Sequence, residues 1–286
     1  MNIGINMLLW ASNVTAEHRE VLEMIKAAGA DSVEIPVMEG SASDYRKLGK
    51  MLDDIGLKRT SSMAFCSEDA NPVSDNPVSR QGAADYMNWL IECVHELGAP
   101  LVCGPMYQTI GVFTGEGPTD IEKERVVELL KAAVPEAQAA GVKLAIEPLN
   151  RFECYMVNTL AAGRELVEAV DAPDVGILFD TFHANMEEKR PVEAILKDGS
   201  VINHFHCSSN DRGIPGEGHI DWVRTFKALH EINYSGDLVI EAFGRALPGM
   251  AAATKIWRDM FDDARDVAER GIPFIRNMWE RGRVAP

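Results

Sequence analysis

Eight short runs rich in β-branched and other apolar residues recur along the chain: IGINMLL, DSVEIPV, LKRTSSMA, PLVCGP, VKLAIEPL, VGILFD, VINHFHCS and DLVIEAF. Between them lie longer segments such as TAEHREVLEMIKAAG, DYMNWLIECVHELG, EKERVVELLKAAVPEAQAAG and TLAAGRELVEAV, with apolar residues three and four apart and charges on the opposite face. Segments 221–231 and 250–282 complete the series. Strict alternation of strand and helix calls for parallel strands, and eight strands call for closure into a (β/α)8 barrel rather than an open sheet. Such barrels need roughly 250 residues, and the chain has 286. No G-x-G-x-x-G follows the first strand and no G-x-x-x-x-G-K-[ST] occurs, so the phosphate-cradling turns of common open sheets are missing. With no low-complexity stretch, linker or shift in composition, residues 1–286 read as a single barrel domain. Pro135 is expected to kink or interrupt its helix.

Composition narrows the partners. Apolar residues make up 46% and charged residues 25%, the balance of a globular protein with a sizeable core. A net charge of -16 repels phosphate backbones and anionic lipid, which argues against nucleic acid and membrane surfaces. No apolar run approaches the ~20 residues of a membrane span, and MNIGINMLLWASN lacks the basic flank of a signal peptide. A cytoplasmic location is the expectation. Five cysteines without a C-x-x-C spacing suggest reduced, mostly packed thiols rather than disulfides or structural zinc.

In a barrel of this kind the reacting groups stand where strands run out at the C-terminal face. The fifth strand ends at Glu147, the sixth at Asp180, the seventh at His206 and the eighth at Glu241. Alternation gives them a common direction. If Leu144 and Ile146 point to the helices, Glu147 points inward; Ile177 with Phe179 place Asp180 the same way, and Leu238 with Ile240 place Glu241. Singly, such residues also serve as helix caps or salt-bridge partners. Three converging carboxylates, however, force protons onto one another unless a divalent cation holds them ionised. Three carboxylates and one imidazole form a hard, oxygen-rich set suited to Mn²⁺ or Mg²⁺ and less selectively Co²⁺.

The strings IEPLNRFE, FDTFHANMEE, HFHCSSNDRGIPGEGHIDW and INYSGDLVIEAF, in this order, resemble those of the D-tagatose, D-allulose (D-psicose) and L-ribulose 3-epimerase family, within the xylose isomerase-like TIM barrels. The resemblance is strongest from about Gly141 to Asp259. It implies one divalent ion, Mn²⁺ first with Co²⁺ or Mg²⁺ as alternatives, held by Glu147, Asp180, His206 and Glu241. It further implies a free ketose bound through its carbonyl and adjacent hydroxyl, with Glu153, His183 and Arg212 bonding the sugar near its carbonyl end. A homodimer or homotetramer is the implied assembly. The implied chemistry is inversion of carbon-3 through a cis-enediolate, with Glu147 and Glu241 as the expected acid/base pair flanking the sugar. No organic cofactor is required.

Family members often carry an aromatic residue late in the first strand and a tryptophan after the fourth; this chain has Asn6 and GPMYQTIGVF there. Trp10, Met106, Tyr107 and Phe243 are the expected pocket lining, and the preferred ketose stays open among L-ribulose, D-tagatose, D-allulose and their epimers. His204, one layer below His206, reads as a packed or supporting group. An aldose–ketose or hydroxypyruvate-type isomerase on the same site is the main alternative. A metal-dependent nuclease fits the charge poorly, and a sugar-binding protein without turnover is a further possibility.

Overall fold

The computed structural model describes residues 1–284. Its eight strands are β1 (Ile3–Asn6), β2 (Ser32–Pro36), β3 (Lys58–Ser62), β4 (Leu101–Gly104), β5 (Lys143–Ile146), β6 (Val175–Asp180), β7 (Ile202–Cys207) and β8 (Leu238–Ile240). Neighbours in sequence pair in parallel, and β1 pairs with β8 to close the barrel. All eight apolar runs therefore became strands. Around them lie α1 (Arg19–Ala27), α2 (Ala42–Ile55), α3 (Pro77–Leu97), α4 (Asp120–Ala140), α5 (Leu160–Val170), α6 (Thr181–Glu187), α7 (Pro191–Asp198), α8 (Trp222–Glu231), α9 (Pro248–Ala253) and α10 (Ala264–Val284).

Strand alternation sorts the core into two compartments. Leu144, Ile146, Ile177, Phe179, Leu238 and Ile240 join the main cluster with helix residues such as Leu22, Leu90 and Leu130. Ala145 and Leu178 instead meet Leu101 and Cys103 in a small separate cluster, as period-two geometry requires of residues on the other face.

Local signals set the helix ends. Thr119 and Glu122 form a reciprocal capping box at the start of α4, and α3 stops at Gly98, whose φ of 73° is open to glycine at no steric cost. The expected break at Pro135 does not occur, since α4 runs unbroken through it. Both Pro135 and Lys131, whose carbonyl loses its intrahelical partner, lie on the exposed face, where that carbonyl is open to solvent. Cys93, Cys103, Cys154 and Cys207 are buried free thiols, while Cys66 is exposed. No helix among the described residues is long and apolar enough to cross a membrane.

Candidate metal and substrate site

The four strand-end residues meet at one place: single ligand atoms of Glu147, Asp180, His206 and Glu241 all lie within 4.8 Å of one another, and all four residues are buried. Glu147 and Glu241 stand one residue beyond β5 and β8; Asp180 closes β6, and His206 lies in β7. Asp180 serves two purposes, because its Oδ1 accepts from the Phe182 and His183 amides and so caps α6. Its Oδ2 accepts from Ser208 Oγ at 2.8 Å and Arg212 Nη1 at 3.0 Å. Burial opposes its charge, but the Arg212 guanidinium and the His206 imidazole hold its carboxyl well below the usual carboxylate range.

His206 is oriented from behind by a residue that strand-end reading did not single out. Glu34, in the middle of β2 and fully buried, lies with Oε1 2.7 Å from His206 Nε2 and Oε2 2.7 Å from His204 Nε2. Asn6 Nδ2, Thr60 Oγ1 and Cys103 Sγ also donate to it. Burial opposes ionisation, yet the imidazoles of His206 and His204 keep the Glu34 carboxyl well below its ordinary value. With Nε2 engaged, His206 Nδ1 is left buried without a hydrogen-bond partner, 3.6 Å from both Asp180 Oδ2 and Glu241 Oε1. A buried nitrogen aimed between carboxylates fits a cation: the donor set could hold a metal ion, and its histidine is held by an outer carboxylate as metal-ligating histidines commonly are. His204, also on Glu34, supports the arrangement from below.

Glu147 is the carboxylate most hostile to its own charge. Burial, then the neighbouring Glu241 and Asp180, push its carboxyl well above the ordinary range. Glu241 accepts from Asn6 Nδ2 at 3.2 Å and Arg212 Nη1 at 2.7 Å. Arg212 lies 3.8 Å over the Phe182 ring and 5.0 Å from that of Phe243, and adopts φ 65°, a left-handed conformation uncommon for arginine and one that clusters at functional sites. His183 Nδ1 accepts from the Asn150 amide at 3.0 Å, and its Nε2 lies 3.6 Å from Glu147 Oε1. Burial and the Arg212 charge push this imidazole down to about 3, so it is neutral at physiological pH. Glu153 is raised by burial and accepts from Asn150 Nδ2 at 2.7 Å.

Glu147, Glu153, His183, His206, Arg212 and Glu241 share the wall of a cavity of about 280 Å³ at the barrel mouth. Of the four residues expected along its lining, Phe243 is there; Trp10, Met106 and Tyr107 are not. Tyr107 is fully buried, its hydroxyl donating to the Glu147 and Val157 carbonyls and accepting from the Leu149 amide, so it anchors the loop that carries Glu147. Met106 is likewise fully buried in the main core, and Trp10 packs against that core from its edge. His219 Nε2 lies 3.2 Å from Asn185 Oδ1, outside this cavity.

Fold and site together define a class, a closed (β/α)8 barrel with a buried acidic cluster at its mouth suited to a metal ion. The chain belongs to the xylose isomerase-like TIM barrel family, whose model matches residues 22–278. It is 30% identical over 284 residues to a probable ketose 3-epimerase of Synechocystis sp., covering 98% of this chain and 97% of that protein. It is 31% identical to the D-psicose 3-epimerase of Ruminiclostridium cellulolyticum, covering 98% of each. A solved L-ribulose 3-epimerase structure superposes with a TM-score of 0.92 at 29% identity, covering 99% of this chain and 95% of that one. Epimerases are isomerase-class enzymes.

Proposed function

We propose that this protein is a metal-dependent ketose 3-epimerase acting on an unphosphorylated ketose. The observation that carries the reading is a pair of buried carboxylates, Glu147 and Glu241, brought from strands three apart in the barrel to one cavity that also holds an unpartnered imidazole nitrogen. Inverting a carbon next to a ketone needs one group to take a proton from one face and another to return it on the opposite face. These two residues are the pair.

Glu147, Asp180, His206 and Glu241 would hold the ion, Mn²⁺ first with Co²⁺ or Mg²⁺ as alternatives. When bound, it polarises the substrate carbonyl and keeps the carboxylates ionised. Glu34 orients His206 and Asn6 steadies Glu241. Glu153, neutral His183 and Arg212 hold the oxygens at the carbonyl end, with His183 fixed by the Asn150 amide. Arg212 is the cavity's cationic side chain and is already committed to Asp180 and Glu241, which favours a free sugar over a phosphorylated one. The similarity to named ketose 3-epimerases points the same way. A single barrel domain assembled as a cytoplasmic homodimer or homotetramer is the proposed setting.

The test is exchange of the carbon-3 hydrogen with solvent deuterium, followed by NMR over a ketose panel, before and after chelation and Mn²⁺ return. Exchange with appearance of the 3-epimer, lost on chelation and restored by metal, is the expected result. An aldose without any 3-epimer would assign the site to aldose–ketose isomerisation instead.

A further inference from the structure

Beside its charged groups the cavity is lined by an apolar set, Leu8, Met38, Met63, Ile110, Phe243 and Met250, with the Phe243 ring 5.0 Å from the Arg212 guanidinium. Leu8 and Phe243 belong to a small apolar cluster with Ala251 and Ile256, separate from the main core, against which Met38, Met250 and Met260 pack. That cluster ties the turn after β1 to α9, the helix after β8, so the apolar wall is a built element of the mouth.

Few polar atoms interrupt it, and most are already engaged. Thr254 Oγ1 donates to the Met250 carbonyl at 2.8 Å and Cys66 Sγ to the Ala64 carbonyl at 3.6 Å. Ser62 Oγ differs: it lines the cavity, is buried, and has no hydrogen-bond partner. Thr60, two residues earlier on the same face of β3, bonds Glu34. The hydroxyl of Ser62 therefore has both its proton and its lone pairs uncommitted, whereas that of Thr254 is left only to accept.

A ketohexose with carbons 1 to 3 at the charged wall still carries hydroxyls on carbons 4, 5 and 6. One finds Ser62. Any hydroxyl turned toward Leu8, Met38, Phe243 and Met250 gives up water and gains no partner, whereas a methyl group there gains contact with polarizable thioethers and an aromatic ring.

We infer that the preferred substrate is a 6-deoxyketohexose, its terminal methyl seated against Met38, Met250 and Phe243 and one chain hydroxyl on Ser62 Oγ. This rests on the ketose 3-epimerase reading and narrows it to a substrate class.

The test compares kcat/KM for carbon-3 exchange on matched pairs of one configuration: 6-deoxy-L-tagatose against L-tagatose, and 6-deoxy-D-fructose against D-fructose, with metal-loaded protein. The deoxy member is expected to win in at least one pair by about tenfold, mainly through KM. Met250→Gln, which offers a polar partner at the methyl position, should draw that ratio toward one, while Ser62→Ala should lower both members alike and leave the ratio in place. Ratios at or below one in both pairs overturn the inference, as does a ratio that Met250→Gln fails to move. The two readings fail separately. Absence of carbon-3 exchange with every ketose strikes the epimerase assignment, whereas exchange that favours the hydroxylated sugars strikes only the deoxy class.

Discussion

Glu34 Oε1 lies 2.7 Å from His206 Nε2, and this contact decides which edge of the imidazole is free. Because the carboxylate accepts the Nε2–H hydrogen bond, Nδ1 is the edge that faces Asp180 and Glu241, 3.6 Å from each. Glu34→Gln keeps the shape but puts one acceptor oxygen where two imidazoles each need one. Metal affinity, measured by competition with a chelating dye, should fall about 10–100-fold, with the circular dichroism unchanged. Unaltered affinity would reduce Glu34 to a packing role.

The paired carboxylates make a second prediction. Glu147→Gln and Glu241→Gln each remove one proton-carrying group and one ligand, so carbon-3 exchange should drop by at least about 10²–10⁴-fold in either variant. Metal content, measured alongside, separates loss of the ion from loss of the proton shuttle. A variant that stays metal-loaded and still exchanges normally excludes its residue from proton transfer.

How much of this was legible depended on where a residue sits along its strand. Glu147, Asp180, His206 and Glu241 stood out because each closes an apolar run near the C-terminal face. Glu34 carried the same signal, a carboxylate between Val33 and Ile35 in a strand built for burial, but it lies one layer deeper and only the last four strand ends drew attention. Tyr107 was misplaced for the opposite reason. An aromatic after a strand reads as pocket lining until the partners of its hydroxyl are known, and those partners belong to a loop about 40 residues away. The apolar lining was harder still, since Leu8, Met38 and Met250 come from the turn after β1, the loop after β2 and α9, with no common spacing.

Gly104 shows a backbone constraint of the same hidden kind. At the end of β4 it adopts φ 139°, and a Cβ there would sit 2.1 Å from the Met63 carbonyl oxygen. That oxygen is main chain and cannot swing aside. Gly104→Ala should cost about 3 kcal/mol and lower Tm by roughly 5–10 °C. Gly117→Ala, with nothing within 4 Å of its added Cβ, is the control and should leave Tm within about 1 °C. Equal Tm values for the two variants would mean that the β3–β4 end yields more easily than this contact implies.

The loop that carries Glu153 supplies a pH-dependent prediction. Glu187, at the end of α6, accepts from Arg151 through its backbone amide at 2.9 Å and its guanidinium at 2.9 and 3.0 Å. Arg151 lies beside Asn150, which positions both His183 and Glu153. Burial disfavours the Glu187 charge, but the bonds from Arg151 outweigh it and hold the carboxyl below its ordinary value of 4.5. A group whose folded pKa is depressed stabilises fully above its unfolded pKa and loses that contribution as pH falls through the folded one. Glu187→Gln should therefore cost about 1 kcal/mol at neutral pH, at the low end for a charged hydrogen bond because Arg151 is solvent-exposed. Urea unfolding at pH 7 and at about pH 3 reads the difference between wild type and variant, which should shrink on the acid side. An equal difference at both values would locate the effect in the shape of the side chain rather than in its charge.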